Sequence, residues 1–154
     1  MIRILCVGKV KDGPLKLLID DYSKRINGYH KFRIDEVKDE PIYLNTSAEA
    51  ILNKEGERLL QNIHDDECVI LLDLRGKEYD SPSFAAEMDK WISSKGKLCF
   101  VIGGSLGLSE DVRRRADHAW KLSDLTFLHQ MTRLIVSEQI YRAFKILHNE
   151  NYHK

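Results

Sequence analysis

The sequence predicts an α/β fold with a mainly parallel sheet and helices on both of its faces. Short apolar runs that suit strands alternate with segments of helical period along all 154 residues. Two of these runs, residues 68–72 and Leu98–Ile102, are apolar throughout, which is typical of parallel strands covered on both faces. No linker, repeat or low-complexity segment interrupts the alternation, so we expect residues 1–154 to form a single domain.

The first part of the chain predicts a strand, a helix and a second strand. Ile2–Val7 is apolar enough to be a buried strand. Pro14 suits the first turn of a helix that runs to about residue 26. The apolar residues on one face of this helix are Leu15, Leu18, Ile19 and Tyr22. Phe32–Val37 alternates charged and apolar side chains and is therefore predicted to be the second strand.

The middle of the chain predicts two helices on either side of the third strand. Thr46 and Glu49 have the spacing of a capping box, which predicts a helix that ends near residue 63. The apolar run 68–72 is the third strand. Ser81 and Pro82 are typical of a helix start, and the following helix is expected to end near residue 93.

The last part of the chain predicts two strands and two helices. Leu98–Ile102 is a buried strand, and Ser109 is a suitable cap for a short helix over residues 110–116. A last short strand is predicted at residues 119–122. Residues 132–148 have the apolar period of a long amphipathic helix. Part of its broad apolar face must cover the sheet; the rest either belongs to the same core or pairs with a second copy, which predicts a homodimer.

The net charge of the chain is zero, but the charges are unevenly distributed. Residues 1–34 contain eight Lys and Arg against three Asp and Glu, residues 35–89 contain five against fifteen, and residues 90–154 contain eleven against six. A protein that binds free nucleic acid usually has a basic excess, which this chain lacks as a whole. Its two basic ends are compatible with RNA contact where other molecules help to hold the substrate, or with ordinary solvated helix faces.

The three cysteines, Cys6, Cys68 and Cys99, each lie in an apolar run and form no CxxC pair. They predict reduced core residues of a cytoplasmic protein. The apolar runs are far shorter than the roughly 20 residues of a membrane span, so no membrane association is expected. Four of the six histidines lie after residue 117, yet none has metal-ligand spacing, so no metal site is expected.

Three segments follow predicted strands directly: residues 73–77 (DLRGK), 103–107 (GGSLG) and 123–130 (SDLTFLHQ). Ligands of open α/β sheets bind beyond the C-terminal ends of strands, so these segments are candidates for a binding site. Glycines after a strand allow a ligand to approach the backbone closely. The glycine segment has neither dinucleotide spacing nor a Walker lysine, and a tight turn without a ligand explains it equally well.

The same glycine segment matches G-x-S-x-G, the pattern of a serine hydrolase. Ser105 would be the nucleophile, with Asp124 and either His129 or His153 completing a triad. The chain is short for that fold, and Asp124 and His129 would have to come from one loop. The hydrolase is therefore the weaker interpretation, although the pattern alone leaves it open.

Seven short motifs occur in order from one end of the chain to the other. They are GK at 8–9, KEGE at 54–57, LDLRGK at 72–77, VIGGSLG at 101–107, LTFLHQM at 125–131, EQIYRA at 138–143 and YHK at 152–154. Each motif is weak alone, but together they make the sequence similar to the RlmH family of SPOUT methyltransferases. Leu128 departs from the family pattern, which usually has proline at this position.

This resemblance implies a fold and an activity. The fold would be of SPOUT type, with a deep trefoil knot in its C-terminal part. The activity would be the S-adenosylmethionine-dependent methylation of N3 of a pseudouridine in helix 69 of 23S rRNA, on the assembled ribosome. The family resemblance also implies a homodimer.

The resemblance further assigns roles to individual residues. The residues expected to bind the cofactor are Leu72, Gly103, Gly104, Leu122, Ser123, Asp124, Leu125, Thr126 and Phe127. His153 is expected to accept the N3 proton, with Tyr152 and Arg142 as further catalytic residues. His129 and Lys154 are expected to contact the substrate. Without the resemblance, Arg142 is a surface residue paired with Glu138, and the tail is frayed.

A third interpretation is a non-catalytic RNA-binding module of the same fold. It predicts RNA binding without turnover, whereas a methyltransferase requires both cofactor affinity and turnover.

Overall fold

The computed structural model describes residues 1–154, which form one sheet flanked by helices. The strands are β1 (Ile2–Val7), β2 (Phe32–Val37), β3 (Cys68–Lys77), β4 (Leu98–Ile102) and β5 (His118–Trp120). The helices are α1 (Gly13–Asn27), α2 (Ala48–Gln61), α3 (Ser81–Lys95), α4 (Glu110–Arg115) and α5 (His129–Leu147). The strand order is β2-β1-β4-β3-β5 and all four pairings are parallel. The predicted α/β class is confirmed, and the sheet is parallel throughout.

Helices cover both faces of the sheet, as predicted. On one face, α5 packs against both α1 and α3 over a core that includes Ile4, Phe100 and Ile140. On the other face, α2 and α4 cover a smaller core that includes Leu5 and Val101. Every residue of β1 and β4 is buried because these strands have neighbours in the sheet and helices above and below.

Strand β3 is longer than predicted because it bulges away from its partner β5 and then pairs with it again. Leu72 pairs with Trp120, and Lys77 pairs with the same residue, so residues 73–76 loop out of the ladder. Gly76 passes so close to β5 that a Cβ there would lie 2.6 Å from the Trp120 nitrogen. The loop predicted at 73–77 is thus an outward bulge between two paired residues of β3. Strand β5 begins one residue earlier than predicted and ends at Trp120.

Two helix starts differ from the prediction. Ser47, and not Thr46, is the N-cap of α2: its hydroxyl accepts a hydrogen bond from the Ala50 N–H at 3.1 Å, whereas the Thr46 N–H bonds to Tyr43 in the preceding turn. Helix α5 begins at His129, three residues before the predicted start. Its Thr132 N–H bonds back to the Leu128 carbonyl at 2.9 Å, which places Thr132 inside the first turn.

Arg133 joins the start of α5 to the C-terminal end of β1. Its guanidinium is fully buried and donates hydrogen bonds to the carbonyls of Val7 at 2.7 Å and Gly8 at 2.9 Å. It also pairs with Glu36 on β2 at 2.9 Å. These bonds satisfy the last carbonyl of β1 and that of the residue after it, and they fix where α5 begins relative to the sheet.

The three cysteines are buried and unpaired. Burial raises the pKa of Cys6 and of Cys99 to about 12, which keeps both thiols protonated at neutral pH. No helix combines the length and apolar character that crossing a membrane requires.

Candidate active site

A cavity of about 630 Å³ lies at the C-terminal edge of the sheet. Three segments surround it: the outward bulge of β3, the turn after β4, and the connection from β5 to α5. The lining residues are 72–75, 102–108, 122–123 and 125–129, with Arg113, Trp120 and Thr132. All three strand-end segments predicted from the sequence therefore meet at one cavity.

The turn after β4 depends on its glycines. The Gly107 N–H donates to the Gly104 carbonyl at 3.1 Å, and Gly107 has a φ of 91°, which side chains rarely adopt. A Cβ on Gly103 would lie 2.3 Å from the Gly107 carbonyl oxygen, so the turn closes only without a side chain there. The glycines thus shape the wall of the cavity through the turn itself.

Ser105 lies exposed at the tip of this turn. As the nucleophile of a serine hydrolase, it would need a hydrogen bond from its hydroxyl to a histidine. Its hydroxyl bonds to no histidine, and the Asp124 carboxylate pairs with Lys121 at 2.7 Å instead of orienting one. A triad is therefore not assembled, and the geometry gives a serine hydrolase no support.

The bulge of β3 brings a charged pair to the cavity. The Asp73 carboxylate accepts hydrogen bonds from Arg113 at 2.6 Å and from the Arg75 N–H at 3.0 Å. Burial alone would raise the pKa of Asp73, but these two donors outweigh it and lower the pKa below its usual value. The sequence predicts this segment as a strand-end loop, but its pattern does not indicate Asp73, Arg75 and Arg113 as individual lining residues.

The connection between β5 and α5 supplies more apolar lining residues than either of the other two segments. Leu122, Leu125 and Phe127 line the cavity, together with Ser123 and Thr126. Eight of the nine residues expected to bind the cofactor line the cavity. Asp124 does not line the cavity: its side chain is 90% exposed and pairs with Lys121.

His129 is the first residue of α5 and lines the cavity. Burial lowers its pKa, the Arg133 guanidinium lowers it further, and the Asp39 carboxylate opposes both. The imidazole is therefore held in its neutral form at physiological pH, in which one ring nitrogen can accept a proton or a hydrogen bond.

The C-terminal tail forms a second, ordered cluster on α5. The Arg142 guanidinium pairs with Glu138 at 2.5 Å, as the spacing predicted, and lies 3.3 Å from the His153 Nδ1 atom. Tyr152 donates to Glu138 at 3.0 Å, and its ring lies under Arg142 at 4.7 Å from the guanidinium carbon. The tail is thus folded against its own chain, which contradicts the frayed alternative, while Lys154 is exposed.

The hydroxyl of Tyr152 is also 3.3 Å from that of Tyr22 on α1. Burial raises the pKa of Tyr152, and its bonds to Tyr22 and Glu138 add to this effect, so the phenol stays protonated. None of Arg142, Tyr152, His153 and Lys154 lines the cavity. The predicted catalytic residues and the predicted cofactor residues therefore form two separate groups on one chain.

No group of three or more His, Cys, Asp or Glu side chains is arranged to hold a metal ion. The chemistry that the two groups offer consists of an amphipathic cavity with a neutral histidine and a separate His–Arg pair. Such an arrangement suits the binding of a nucleoside-sized molecule and proton transfer to an imidazole.

Comparison with known proteins gives three findings. Residues 1–153 match the family described as "Predicted SPOUT methyltransferase". Proteins named "Ribosomal RNA large subunit methyltransferase H" from Desulfitobacterium hafniense (strain DSM 10664 / DCB-2) and Alkaliphilus oremlandii are 46% and 47% identical to this chain. The matches cover 99% of this chain and 98% and 99% of those proteins.

A solved structure, that of "a probable methylase family protein from Haemophilus influenzae Rd KW20", is similar in fold. The TM-score is 0.54 with 17% sequence identity, and the match covers 99% of this chain and 70% of that one.

Proposed function

Because the chain belongs to the SPOUT methyltransferase family, we propose that it methylates N3 of a pseudouridine in helix 69 of 23S rRNA, with S-adenosylmethionine as the methyl donor. The full-length relatives named as large subunit rRNA methyltransferases support the reaction and the RNA. The single observation that carries the proposal is the cavity in which all three strand-end segments meet. The particular base and position follow from the resemblance of the motifs to the RlmH family.

The residues of the cavity fit S-adenosylmethionine. A volume of about 630 Å³ lies within the usual range for cofactor pockets, roughly 300–1,000 Å³. Leu72, Leu122 and Phe127 offer an apolar slot for the adenine, and the turn at Gly103 and Gly104 allows a close approach of the backbone. When bound, the donor supplies a methyl group on a positively charged sulfur.

The tail cluster offers what the base requires. N3 must lose its proton as it gains the methyl group, and His153 is the acceptor that we propose. Arg142, fixed by Glu138, lies 3.3 Å from the His153 Nδ1 atom and is placed to counter negative charge on the base. Tyr152 fixes Arg142 from below, while His129 and Lys154 are proposed to contact the RNA.

We propose a homodimer in which the tail of one chain completes the cavity of the other. Two observations support it. The tail cluster and the cavity lie in different places on one chain. Large apolar side chains are also exposed at the mouth of the cavity, at 55% for Leu74, 70% for Leu125 and 62% for Leu128, and they need a cover.

The last helix leaves less apolar surface free for a second copy than its sequence predicted. Ile140, Tyr141 and Phe144 are buried in the core of their own chain, whereas Leu134 and Ile135 stay half-buried. We therefore propose that the first half of α5 and the mouth of the cavity, and not the whole helix, form the dimer contact.

The trefoil knot is also proposed, for the part of the chain that includes residues 121–128. This segment leaves the edge strand β5, lines the cavity between the segments after β3 and β4, and leads into α5. Arg133 then contacts β1, two strands away from β3 in the sheet. In a knotted chain, the end of the chain must cross the sheet in this way after it passes through the loops that line the cavity.

We further propose that the enzyme acts on the assembled ribosome in the cytoplasm. The net charge of zero gives it little affinity of its own for RNA phosphates. The ribosome then holds the helix in place, and the enzyme needs few phosphate contacts.

The decisive experiment incubates the protein and labelled donor with ribosomes that lack this methylation, and maps the modified nucleotide by mass spectrometry. We expect one methyl group on the helix 69 pseudouridine, and the Ser105→Ala variant should retain turnover. RNA binding without methyl transfer would support the non-catalytic module instead. Loss of the protein's catalytic activity in Ser105→Ala would support the hydrolase.

A further inference from the structure

Glu55 is a buried carboxyl group that the proposed mechanism does not use. It lies in the middle of α2, on the side of the helix that faces the sheet, and is only 4% exposed. Its neighbour Gly56 contacts the segment after β4, since a Cβ there would lie 2.3 Å from the Ser109 hydroxyl. Helix α2 is therefore pressed against the segment that leads from the cavity turn into α4.

The two oxygens of the Glu55 carboxyl group have different surroundings. Oε1 accepts a hydrogen bond from the Glu40 N–H at 3.0 Å. Oε2 is buried and has no hydrogen-bond partner. A buried carboxylate oxygen without a donor is unfavourable, so a purely structural role would be served better by an apolar side chain.

The unpartnered oxygen lies directly behind the wall of the cavity. A Cβ on Gly104 would lie 2.8 Å from Oε2 and 3.3 Å from Oε1 of Glu55. Gly104 itself lines the cavity. A single residue of backbone, with no side chain, therefore separates the carboxyl group from whatever the cavity holds.

A carboxylate at this place acts on the charge of the ligand. S-Adenosylmethionine carries a positive sulfur, whereas its product, S-adenosylhomocysteine, is identical except for a neutral sulfur. A buried negative charge lowers the free energy of the cation and leaves the neutral thioether nearly unaffected. The charged lining residues Asp73 and Arg113 neutralise each other, so they do not provide this distinction.

We propose that Glu55 is a specificity-determining residue of the cavity, whose carboxylate favours the charged methyl donor over the uncharged product. This inference rests on the proposed function. Its consequence is that product leaves more readily after transfer, because the attraction disappears together with the positive charge.

The groups around Glu55 make its ionisation responsive to the cavity. Burial raises its pKa, and Asp39 and Glu40 raise it further, while the Glu40 N–H and Arg58 lower it. Lys54 on the same helix pairs with Glu40. A bound cation favours the ionised form of Glu55, so donor affinity rises relative to product affinity as the pH increases through the pKa of Glu55.

The test measures the dissociation constants of S-adenosylmethionine and S-adenosylhomocysteine by calorimetry for the wild-type protein and two variants. Glu55→Gln keeps the shape and the bond from the Glu40 N–H but removes the charge. Glu57→Gln removes a charge of the same sign from the exposed face of the same helix. Thermal unfolding of each variant is recorded in parallel.

We expect Glu55→Gln to weaken donor binding relative to product binding by about tenfold, the size of a partly screened charge interaction. Glu57→Gln should leave the ratio unchanged. An unchanged ratio in Glu55→Gln, or an equal change in Glu57→Gln, overturns the inference while the proposed function stands. If neither compound binds the wild-type protein, the proposed function itself fails.

A second measurement does not depend on the stability of Glu55→Gln. In a His129→Asn background, which removes the titrating histidine of the cavity, the ratio of the two constants is followed between about pH 5 and pH 8. Rising preference for the donor with pH is expected. A flat profile contradicts the role of Glu55, because Asp73 and Arg113 keep their charges over this range.

Discussion

Gly103 is the residue at which β4 becomes the wall of the cavity. Replacing it with valine places side-chain atoms against the Gly107 carbonyl, 2.3 Å from the Cβ position, and forces the turn open. We predict that Gly103→Val loses donor binding by at least about tenfold, roughly 1.4 kcal/mol, in a titration.

The matched control is Gly13→Val, since a Cβ on Gly13 at the start of α1 meets nothing within 4 Å. Its affinity should equal that of the wild-type protein. Unchanged affinity in a folded Gly103→Val protein would mean that this turn does not contact the donor.

Glu67 forms a buried ion pair with Arg3 on β1. The two side chains are 1% and 2% exposed, and the Arg3 Nε donates to Glu67 at 2.6 Å. Burial alone would raise the pKa of Glu67, but Arg3 and the His64 N–H outweigh it, so the pKa is lowered. A lowered pKa means that the pair stabilises the fold above the ordinary pKa of about 4.3 and that this stabilisation is lost as the pH falls.

We therefore predict that Glu67→Gln lowers the free energy of unfolding at pH 7 by about 3 kcal/mol, because Arg3 keeps only Asp35 as a charged partner. Denaturant unfolding between about pH 3 and pH 7 should also show a weaker pH dependence in the variant. A pH dependence as steep as that of the wild-type protein would contradict this account of the pair.

Strand and helix bounds that depend on neighbouring residues were predicted correctly, whereas bounds that depend on distant partners were not. β1, β2 and β4 have the predicted bounds because each is a short run of suitable side chains. The end of β3 was not predictable from its own residues, because the chain resumes pairing at Lys77 only through contact with Trp120. Likewise, α5 begins at His129 because Leu128 already accepts its first bond.

Four buried charged residues were not predicted, although helical spacing could have indicated two of them, Glu55 and Arg133. Glu55 falls between Ile51 and Leu59 at helical spacing, on the stripe that faces the sheet. Arg133 occupies the same kind of position, one turn before the buried Val136 and Ser137 of α5. A charged residue on an apolar stripe is therefore the signal for which a sequence of this kind should be searched.

The start of α2 gives a direct test of an element boundary. Because Ser47 is the N-cap, Ser47→Ala should lower the free energy of unfolding by about 1 kcal/mol, whereas Thr46→Ala should change it by only a few tenths. Chemical denaturation of both variants decides the matter. A larger loss of unfolding free energy in Thr46→Ala than in Ser47→Ala would instead indicate that Thr46 is the N-cap, as the capping box predicted.

At the scale of the whole molecule, the chain carries two incomplete groups. The cavity is lined by the neutral His129 but by neither Arg142 nor His153, which meet where the tail packs against the C-terminal half of α5. The family resemblance named most residues of the two groups, but residue patterns could not show their separation, because separation depends on how the last helix crosses the sheet. Periodicity carries no information about such a crossing, and none about a knot.

The proposed dimer makes these two groups into one site. It predicts that Gly103→Val and His153→Ala are each nearly inactive as pure proteins, with methylation reduced about 100-fold or more in the histidine variant. The His153→Ala protein should bind the donor normally. His64→Ala, which changes an exposed histidine far from the tail in sequence, is the control and should methylate at the full rate.

The most direct test is the methylation rate of a purified heterodimer with Gly103→Val in one chain and His153→Ala in the other. If the tail serves the partner's cavity, one site in this heterodimer joins an intact cavity to an intact tail, and the rate should return to about half that of the wild-type dimer. If the tail serves its own cavity, both sites are defective. A heterodimer as inactive as its parent variants would contradict the shared site.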